Sequence, residues 1–168
     1  MTSSFDEIPA CETEDFVAAL SLAANGVAIV TTDGNAGKSG LTVSSMVSVC
    51  ADPPLMLACV NSDNVFCNIA DANSGFAINL LTQDQQGISN TFAGFGDNPD
   101  VDRFTQGSWS TRDTGSPILD NALASLDCAL VEGRSYGTHR IYIGRVLSVA
   151  TNNAPPLVYS QRGYAKLS

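Results

Sequence analysis

The sequence predicts a mostly β domain, built as an antiparallel barrel with a few short peripheral helices. About seven segments have strand-like patterns. Strands and helices do not alternate along the chain, which argues against a doubly wound parallel sheet. The length of 168 residues is enough for one domain with a sizeable core. We therefore expect residues 1–168 to form a single domain, with residues 1–12 as a flexible tail.

The first half of the chain begins with a predicted helix. It starts at Thr13, before two acidic residues, and stops at Asn25-Gly26. β-Branched composition, period-two alternation or a short apolar run then predicts strands. These strands cover residues 27–32, 41–50, 55–60 and 76–81, with a short helix over residues 66–72. The alternation in residues 41–50 is broken at Ser45 and Met46.

The second half opens with a helix signal and a long loop. Thr82-x-x-Gln85 fits a capping box, which predicts a helix ending near Gly94. Residues 95–117 are rich in Gly, Asp, Ser and Thr and are expected to be a loop. Residues 126–132, 141–149 and 157–160 complete the predicted strands. These elements suit a barrel with helices packed on its outside.

The charge balance excludes several functions. A net charge of −9 argues against general nucleic-acid binding and against a polybasic membrane anchor. The longest apolar run, residues 55–60, is too short to span a bilayer. The first residues lack the features of a signal peptide, so we expect a cytoplasmic protein. The 44% hydrophobic content suggests that a second subunit covers some apolar surface.

Metal and thiol chemistry have little support in the sequence. The five cysteines show no C-x-x-C spacing, and His139 is the single histidine, so no metal site is expected. Reduced, mostly buried thiols are the simpler interpretation. A cysteine–histidine dyad remains as an alternative. Phosphate-loop, dinucleotide-binding and nucleophile-elbow motifs are all absent.

Residues 40–45, Gly-Leu-Thr-Val-Ser-Ser, are the most informative segment. Small residues let a flat ligand approach the backbone, and hydroxyls can donate to phosphate. Residues 39–102 contain no Lys or Arg, so a phosphate held wholly within them would need neutral donors. A polar strand face exposed to solvent is the alternative interpretation.

An ordered set of motifs resembles the flavin reductase-like family, which includes the small reductase components of two-component flavin monooxygenases. The set begins with residues 40–45 and extends through nearly the whole chain. Its further members are residues 51–55 (ADPPL), 59–62 (CVNS), 76–81 (FAINLL), 89–94 (SNTFAG), 102–104 (DRF), Trp109, 115–119 (GSPIL), 126–128 (LDC), 137–139 (GTH), 143–146 (IGRV) and 156–159 (PLVY).

The resemblance implies a Greek-key split barrel that works as a homodimer, binds FMN or FAD, and takes hydride from NADH or NADPH. It also implies two groups of cofactor-binding residues. The flavin contacts would be Lys38, Ser39, Gly40, Leu41, Thr42, Ser44, Ser45, Cys59, Val60, Asn61, Val65, Phe66, Thr91 and Phe92, and the nicotinamide-nucleotide contacts Tyr159, Ser160, Gln161 and Arg162. Core packing is the alternative role for Val65, Phe66 and Phe92, and a solvated surface charge for Arg162.

His139 is the catalytic residue that the resemblance implies, near the flavin and the nicotinamide. The family often has an acidic residue before this histidine, and this chain has Thr138. A turn histidine satisfied by local backbone is the alternative. A second departure is the acidic stretch around Asp63, where many relatives are basic.

The function that the resemblance implies is NAD(P)H:flavin oxidoreductase activity, which supplies reduced flavin to a separate monooxygenase. Such chemistry needs few ionisable side chains, because the cofactors carry it. The alternatives are a flavin carrier or sensor without turnover and, with less support, a cysteine-dependent hydrolase.

Overall fold

A computed structural model describes residues 8–95 and 102–167, which form three α-helices and twelve β-strands. The predicted tail falls largely on residues 1–7, outside the described residues. The helices are α1 (Thr13–Ser21), α2 (Phe66–Asn73) and α3 (Gln86–Phe92). The strands are β1 (Asn25–Gly26), β2 (Ala28–Thr32), β3 (Ser39–Val43), β4 (Met46–Ala51), β5 (Pro54–Asn61), β6 (Gly75–Leu80), β7 (Trp109–Thr111), β8 (Pro117–Leu119), β9 (Ala124–Tyr136), β10 (His139–Thr151), β11 (Val158–Ser160) and β12 (Gly163–Ala165). The prediction of a mostly β protein with short helices is confirmed.

Seven strands form one antiparallel sheet in the order β3-β2-β6-β9-β10-β5-β4. Its edge strands, β3 and β4, are joined by Ser44 and Ser45 alone. Three Cα–Cα steps of about 3.8 Å therefore keep the two edges within about 11 Å of each other at this point. The sheet must curl into an open barrel. The Ser45 carbonyl accepts a hydrogen bond from the Cys59 N–H (2.9 Å), which extends the pairing of β4 with β5 into the turn.

The predicted strand over residues 41–50 is wrong, because the chain turns at Ser44 and Ser45 and continues as β4. The broken alternation at Ser45 and Met46 marked this position. A strand's side chains alternate strictly between its two faces, so a lost period indicates a change of strand.

The inside of the barrel holds a cluster that we call the barrel core. Its buried residues are Ala28, Val30, Leu41, Val43, Ala58, Val60, Phe66, Cys67, Ala70, Phe76, Ile78, Cys128 and Tyr142. Gly144 on β10 allows this packing, since a Cβ there would lie 2.6 Å from Phe76 Cζ and 2.7 Å from Cys128 Cβ. A side chain at this position would displace the ring.

A second cluster, the outer core, lies beneath α3 and the small sheet β1-β11-β12. Its buried residues are Val27, Ile29, Leu81, Phe92, Leu119, Ala122 and Leu157, with Ile88, Phe104, Trp109 and Tyr164 packed against them. Phe92, Phe104 and Trp109 stack with ring centroids 5.1–5.5 Å apart. Such aromatic pairs fix the position of α3 on the barrel.

The second half of the chain is more ordered than the sequence predicts. The loop predicted for residues 95–117 contains β7 and a short 3-10 helix, Arg103–Thr105. Strands β9 and β10 form a hairpin of thirteen residues each, longer than predicted, and β12 was missed. Buried Asp127 explains part of this order, because it accepts hydrogen bonds from the Thr114 main-chain N–H and hydroxyl. A loop tied to a buried carboxylate cannot move freely.

Helix α1 begins at Thr13, as predicted, and is shorter than predicted. It ends at Ser21, while Asn25 and Gly26 pair with β11 as strand β1. None of its residues is buried, and its apolar stripe of Phe16, Val17 and Leu20 is exposed. Its nine residues make it the longest helix in the described ranges, so no helix there has the length that a bilayer span requires.

Candidate functional site

Strand β3 divides the predicted site residues between its two faces. Leu41 points into the barrel core and is buried. Gly40 and Thr42 face α3: the Thr42 hydroxyl donates to the Ser89 carbonyl (2.7 Å), and a Cβ on Gly40 would lie 2.9 Å from Phe92 Cε1. The glycine thus makes room for an aromatic ring of the protein. The side chain of Leu41 is therefore not available to a ligand, whereas Thr42 lines a cleft on the outer face.

A cleft of about 540 Å³ lies at the start of this outer face, and we call it the charged cleft. Three segments that are far apart in the sequence line it. Its residues are Lys38, Ser39, Gly40, Asp63, Asn64, Val65, Asp102, Arg103 and Phe104. Four of the predicted flavin contacts are therefore together here: Lys38, Ser39, Gly40 and Val65. Val65 is 63% exposed, so the core alternative does not hold for this residue.

A smaller and more apolar space, about 150 Å³, lies at the other end of the same strand face, and we call it the apolar cleft. It is lined by Val27, Thr42, Val43, Ser44, Ser89, Ala93, Phe95, Tyr159 and Tyr164. Thr42 from β3 and Ser44 from the turn after it meet Tyr159 from β11, so predicted flavin and nucleotide contacts adjoin. Gly40 and Thr42 are two residues apart, about 7 Å along the strand, and this short step separates the two clefts.

The turn after β5 is built by asparagine side chains. Asn61 Oδ1 accepts from the Asp63 N–H (2.9 Å), and Asn64 Oδ1 accepts from the Phe66 N–H at the start of α2 (3.0 Å). These bonds satisfy donors that a short turn leaves free. They hold Asp63, Asn64 and Val65 against the charged cleft.

His139 lies beside this turn. It is the first residue of β10, pairs with Asn61 of β5, and is exposed. The Thr138 hydroxyl lies 3.0 Å from His139 Nδ1, so the threonine contacts the ring. The Thr138 carbonyl also accepts from the Ser62 N–H (2.9 Å). The histidine is outside the lining of both clefts.

The C-terminal residues Tyr159–Arg162 lie in the β11–β12 hairpin. Gln161 and Arg162 form its turn with φ values of 50° and 61°, a left-handed conformation that non-glycine residues seldom adopt. The Gln161 N–H donates to the Ser21 carbonyl at the end of α1 (2.7 Å). Tyr164 holds the hairpin on α3, because its hydroxyl lies 2.8 Å from Ser89 Oγ and 2.9 Å from Asn90 Oδ1.

Several predicted contacts have buried side chains. Val60 and Phe66 lie in the barrel core and Phe92 in the outer core, each at most 1% exposed. Core packing, the alternative role for Phe66 and Phe92, describes their positions. Cys59 is half-buried, and burial raises the pKa of its thiol. Thr91 donates to the Gly87 carbonyl within α3 (3.1 Å). The fully buried residues Val60, Phe66 and Phe92 can contact a ligand only through their main chain, or affect it by positioning residues that line a cleft.

The lining residues that the sequence interpretation did not name as site residues include Asp102, Arg103 and Tyr164. One signal pointed to Arg103, which ends the long stretch without Lys or Arg that begins after Lys38. The fold brings these two flanking cations to the same cleft.

The charged cleft fits a phosphorylated flavin. Its volume lies within the range of about 300–1,000 Å³ that is typical of small-molecule sites. Lys38, Arg103, Ser39 and Asn64 provide cationic and neutral donors, and Phe104 and Val65 provide apolar walls.

Comparison with known proteins also points to a protein that acts on flavin. A family model described as "flavin reductase like domain" matches residues 20–168. The FMN reductase (NADH) RutF of Stutzerimonas stutzeri (strain A1501) is 39% identical over 156 residues, covering 92% of this chain and 88% of the relative.

Two solved structures share the fold at more than 25% identity. A flavin reductase (YcdH) from Haemophilus somnus 129PT has a TM-score of 0.87 and 37% identity over 94% of this chain and 100% of that chain. BorF, the flavin reductase component of a bacterial two-component tryptophan halogenase, has a TM-score of 0.83 and 30% identity, covering 93% and 98%. This chain therefore belongs to the flavin reductase-like family.

Proposed function

We propose that this protein is an NADH-dependent FMN reductase whose flavin and nucleotide sites share the outer face of β3. The observation that carries the proposal is the pair of clefts along β3, one charged and one apolar, whose lining residues Gly40 and Thr42 are about 7 Å apart along the strand. The family assignment and the RutF relative support the reaction and its cofactors.

We place the phosphate end of the flavin in the charged cleft and its ring toward Thr42 and Ser44. When bound, the flavin accepts hydride from the reduced nicotinamide. The protein orients the two partners, and the apolar walls around Tyr159 and Tyr164 exclude water from their contact. Serine and threonine hydroxyls with main-chain amides suffice for this task, since no side chain needs to form a bond to the substrate.

His139 is proposed to assist turnover from the edge of the site. Its exposure and its hydroxyl neighbour, Thr138, suit a polar contact to the cofactors better than a buried acid–base role. In the variant His139→Gln we expect a lower kcat and an unchanged dissociation constant for FMN. An unchanged kcat would remove His139 from the reaction.

The reductase assay tests the main proposal. Purified protein is mixed with NADH and FMN, and the nicotinamide absorbance is followed, with NADPH and FAD as alternative substrates. We expect NADH oxidation that depends on added FMN. Tight flavin retention without nicotinamide oxidation would instead identify a carrier or sensor. Alkylation of the exposed thiols Cys11 and Cys50 should leave the rate unchanged, in contrast to a cysteine-dependent hydrolase.

We further propose that the protein is a homodimer. Every residue of β4 after Met46 is exposed, on both faces of this edge strand, including Val47 (56%) and Val49 (46%). Proteins normally cover or protect such an edge. Light scattering should give twice the 17.5 kDa chain mass. The double variant Val47→Glu/Val49→Glu should be monomeric, and Leu22→Glu, at an exposed position just after α1, should not.

Reduced flavin is proposed to leave the protein and serve a separate flavin-dependent monooxygenase. The description of BorF as a reductase component supports this role. A coupled assay in which a catalase-sensitive peroxide signal disappears on adding a monooxygenase would detect the transfer. A cytoplasmic location, where NADH is available, fits the proposed reaction.

A further inference from the structure

Arg103 is a cation of the charged cleft, and its side chain is exposed. It opens the short 3-10 helix Arg103–Thr105, and its Nη1 donates to the Phe92 carbonyl at the end of α3 (3.4 Å). A guanidinium has five N–H donors in a planar fork, so most remain available on the cleft side. A fork of this kind binds the oxygens of a phosphate in pairs, which a point charge does not.

Lys38, the second cation, is already engaged. Its Nζ lies 3.9 Å from Asp102 Oδ2 and 4.6 Å from the centroid of the Phe104 ring. Asp102 is itself held, since its Oδ1 accepts from the Phe104 N–H (3.0 Å). A phosphate that approaches Lys38 must therefore compete with a carboxylate that the backbone keeps beside it.

The charges of the cleft nearly cancel. Among the described residues that line it, Lys38 and Arg103 are basic, and Asp63 and Asp102 are acidic. A phosphate monoester carries about −1.5 to −2 charges near neutral pH. It would gain from the two cations and lose from the two carboxylates that line the same cleft, so the arrangement favours recognition without tight retention.

We infer that Arg103 selects the phosphorylated flavin and that Asp102, by holding Lys38, limits how tightly the phosphate is bound. Arg103 is then the residue that distinguishes FMN from riboflavin. Asp102 is the residue that lets FMN leave after reduction. The inference rests on the proposed function and adds two residues to it that determine specificity and affinity.

The test compares the binding of FMN with that of riboflavin, which has the same ring and no phosphate. Dissociation constants are measured by flavin fluorescence on the full chain. We expect Arg103→Ala to weaken FMN binding by about 10- to 100-fold, the range for hydrogen bonds to a charged group. Riboflavin binding should stay within about twofold. Arg103→Lys keeps the charge and loses the planar fork of donors. Its dissociation constant for FMN should lie between those of the unmodified protein and Arg103→Ala.

The second arm uses Asp102→Asn. Asparagine keeps the oxygen that accepts the Phe104 N–H, so the local fold is preserved while the negative charge is lost. We expect FMN to bind about 3- to 10-fold more tightly, with riboflavin unchanged and with a slower release of FMN. The controls are Arg112→Ala and Asp113→Asn, at exposed positions outside the charged cleft. They change the net charge by the same amounts and should leave the dissociation constants of FMN and riboflavin unchanged.

Equal effects of Arg103→Ala on FMN and riboflavin would overturn the inference and assign Arg103 a purely structural role. An Asp102→Asn variant that binds FMN no more tightly would overturn the role of Asp102. These outcomes are separate from failure of the proposed function, which would appear as absent NADH oxidation in the unmodified protein.

Discussion

The barrel core and the outer core are both built from buried aromatic and aliphatic side chains, yet they differ in what they support. Of the barrel core's buried residues, only Val43 reaches the lining of a cleft. The outer core contributes Val27, Phe104 and Tyr164, and Phe92 anchors Arg103 through its carbonyl.

This difference separates stability from function in one small domain. Packing density in the barrel core determines whether the sheet curls and closes. Packing in the outer core also determines where α3 and the β11–β12 hairpin stand over the outer face of β3. A substitution in the barrel core should lower stability alone. A substitution in the outer core should lower stability and also change cofactor binding.

The largest effect is expected from paired truncations of one phenylalanine in each core. Phe76 and Phe92 are each 1% exposed, so Phe76→Ala and Phe92→Ala should each lower the free energy of unfolding by about 3–5 kcal/mol. Urea denaturation measures this loss. Among molecules that remain folded, only Phe92→Ala should weaken FMN binding. Equal loss of FMN affinity in both variants would show that the two cores contribute equally to cofactor binding.

A smaller effect is expected from an added methyl group at two tightly packed glycines. In Gly144→Ala the new Cβ would meet Phe76 Cζ at 2.6 Å, and in Gly40→Ala it would meet Phe92 Cε1 at 2.9 Å. Each change should cost about 1–3 kcal/mol of stability, because overpacking forces neighbouring side chains to shift. Steady-state kinetics should show a raised KM for FMN in Gly40→Ala only. If Gly144→Ala also raises the KM for FMN, the two cores do not differ in their effect on cofactor binding.

Alkaline pH should act on the barrel core through Cys128. Burial, with a contribution from Asp127, raises the pKa of this thiol to about 12. Above pH 9 the unfolded chain releases the proton and the folded protein keeps it, so the free energy of unfolding should fall by about 1.4 kcal/mol per pH unit. Denaturation curves from pH 9 to 11 should show a shallower fall in Cys128→Ala. An identical slope in the variant would contradict the assignment.

The smallest effect is expected at Tyr164, where the outer core meets the hairpin. Tyr164→Phe removes the hydroxyl that contacts Ser89 and Asn90 and should cost about 1 kcal/mol. Because the hairpin carries the proposed nucleotide contacts, KM for NADH should rise while the dissociation constant for FMN stays constant. A matched change in the barrel core, Tyr142→Phe, removes a hydroxyl that donates to the Cys67 carbonyl and should leave KM unaffected.

Local patterns predicted the elements that depend on neighbouring residues. The capping box is one case: Gln85 Oε1 accepts from the Thr82 N–H (3.0 Å), although the first turn is a 3-10 helix. β-Branched runs gave strand β2 within one residue at its start. Period and composition could not predict β7 or β12, because a strand of three residues is too short to show a period of two, and each pairs with the strand next to it in the chain.

The sequence by itself determined the family, the mostly β class and the segments that carry the site, because these follow from ordered motifs and local periodicity. Only the tertiary structure decided which of those residues line a cleft. Alternation along β3 buries Leu41 in the barrel core and leaves Thr42 half-buried at the apolar cleft, and the curled sheet brings Lys38 and Arg103 into one cleft. Charges that are far apart in the chain become neighbours only through long-range packing, and no local pattern encodes that distance.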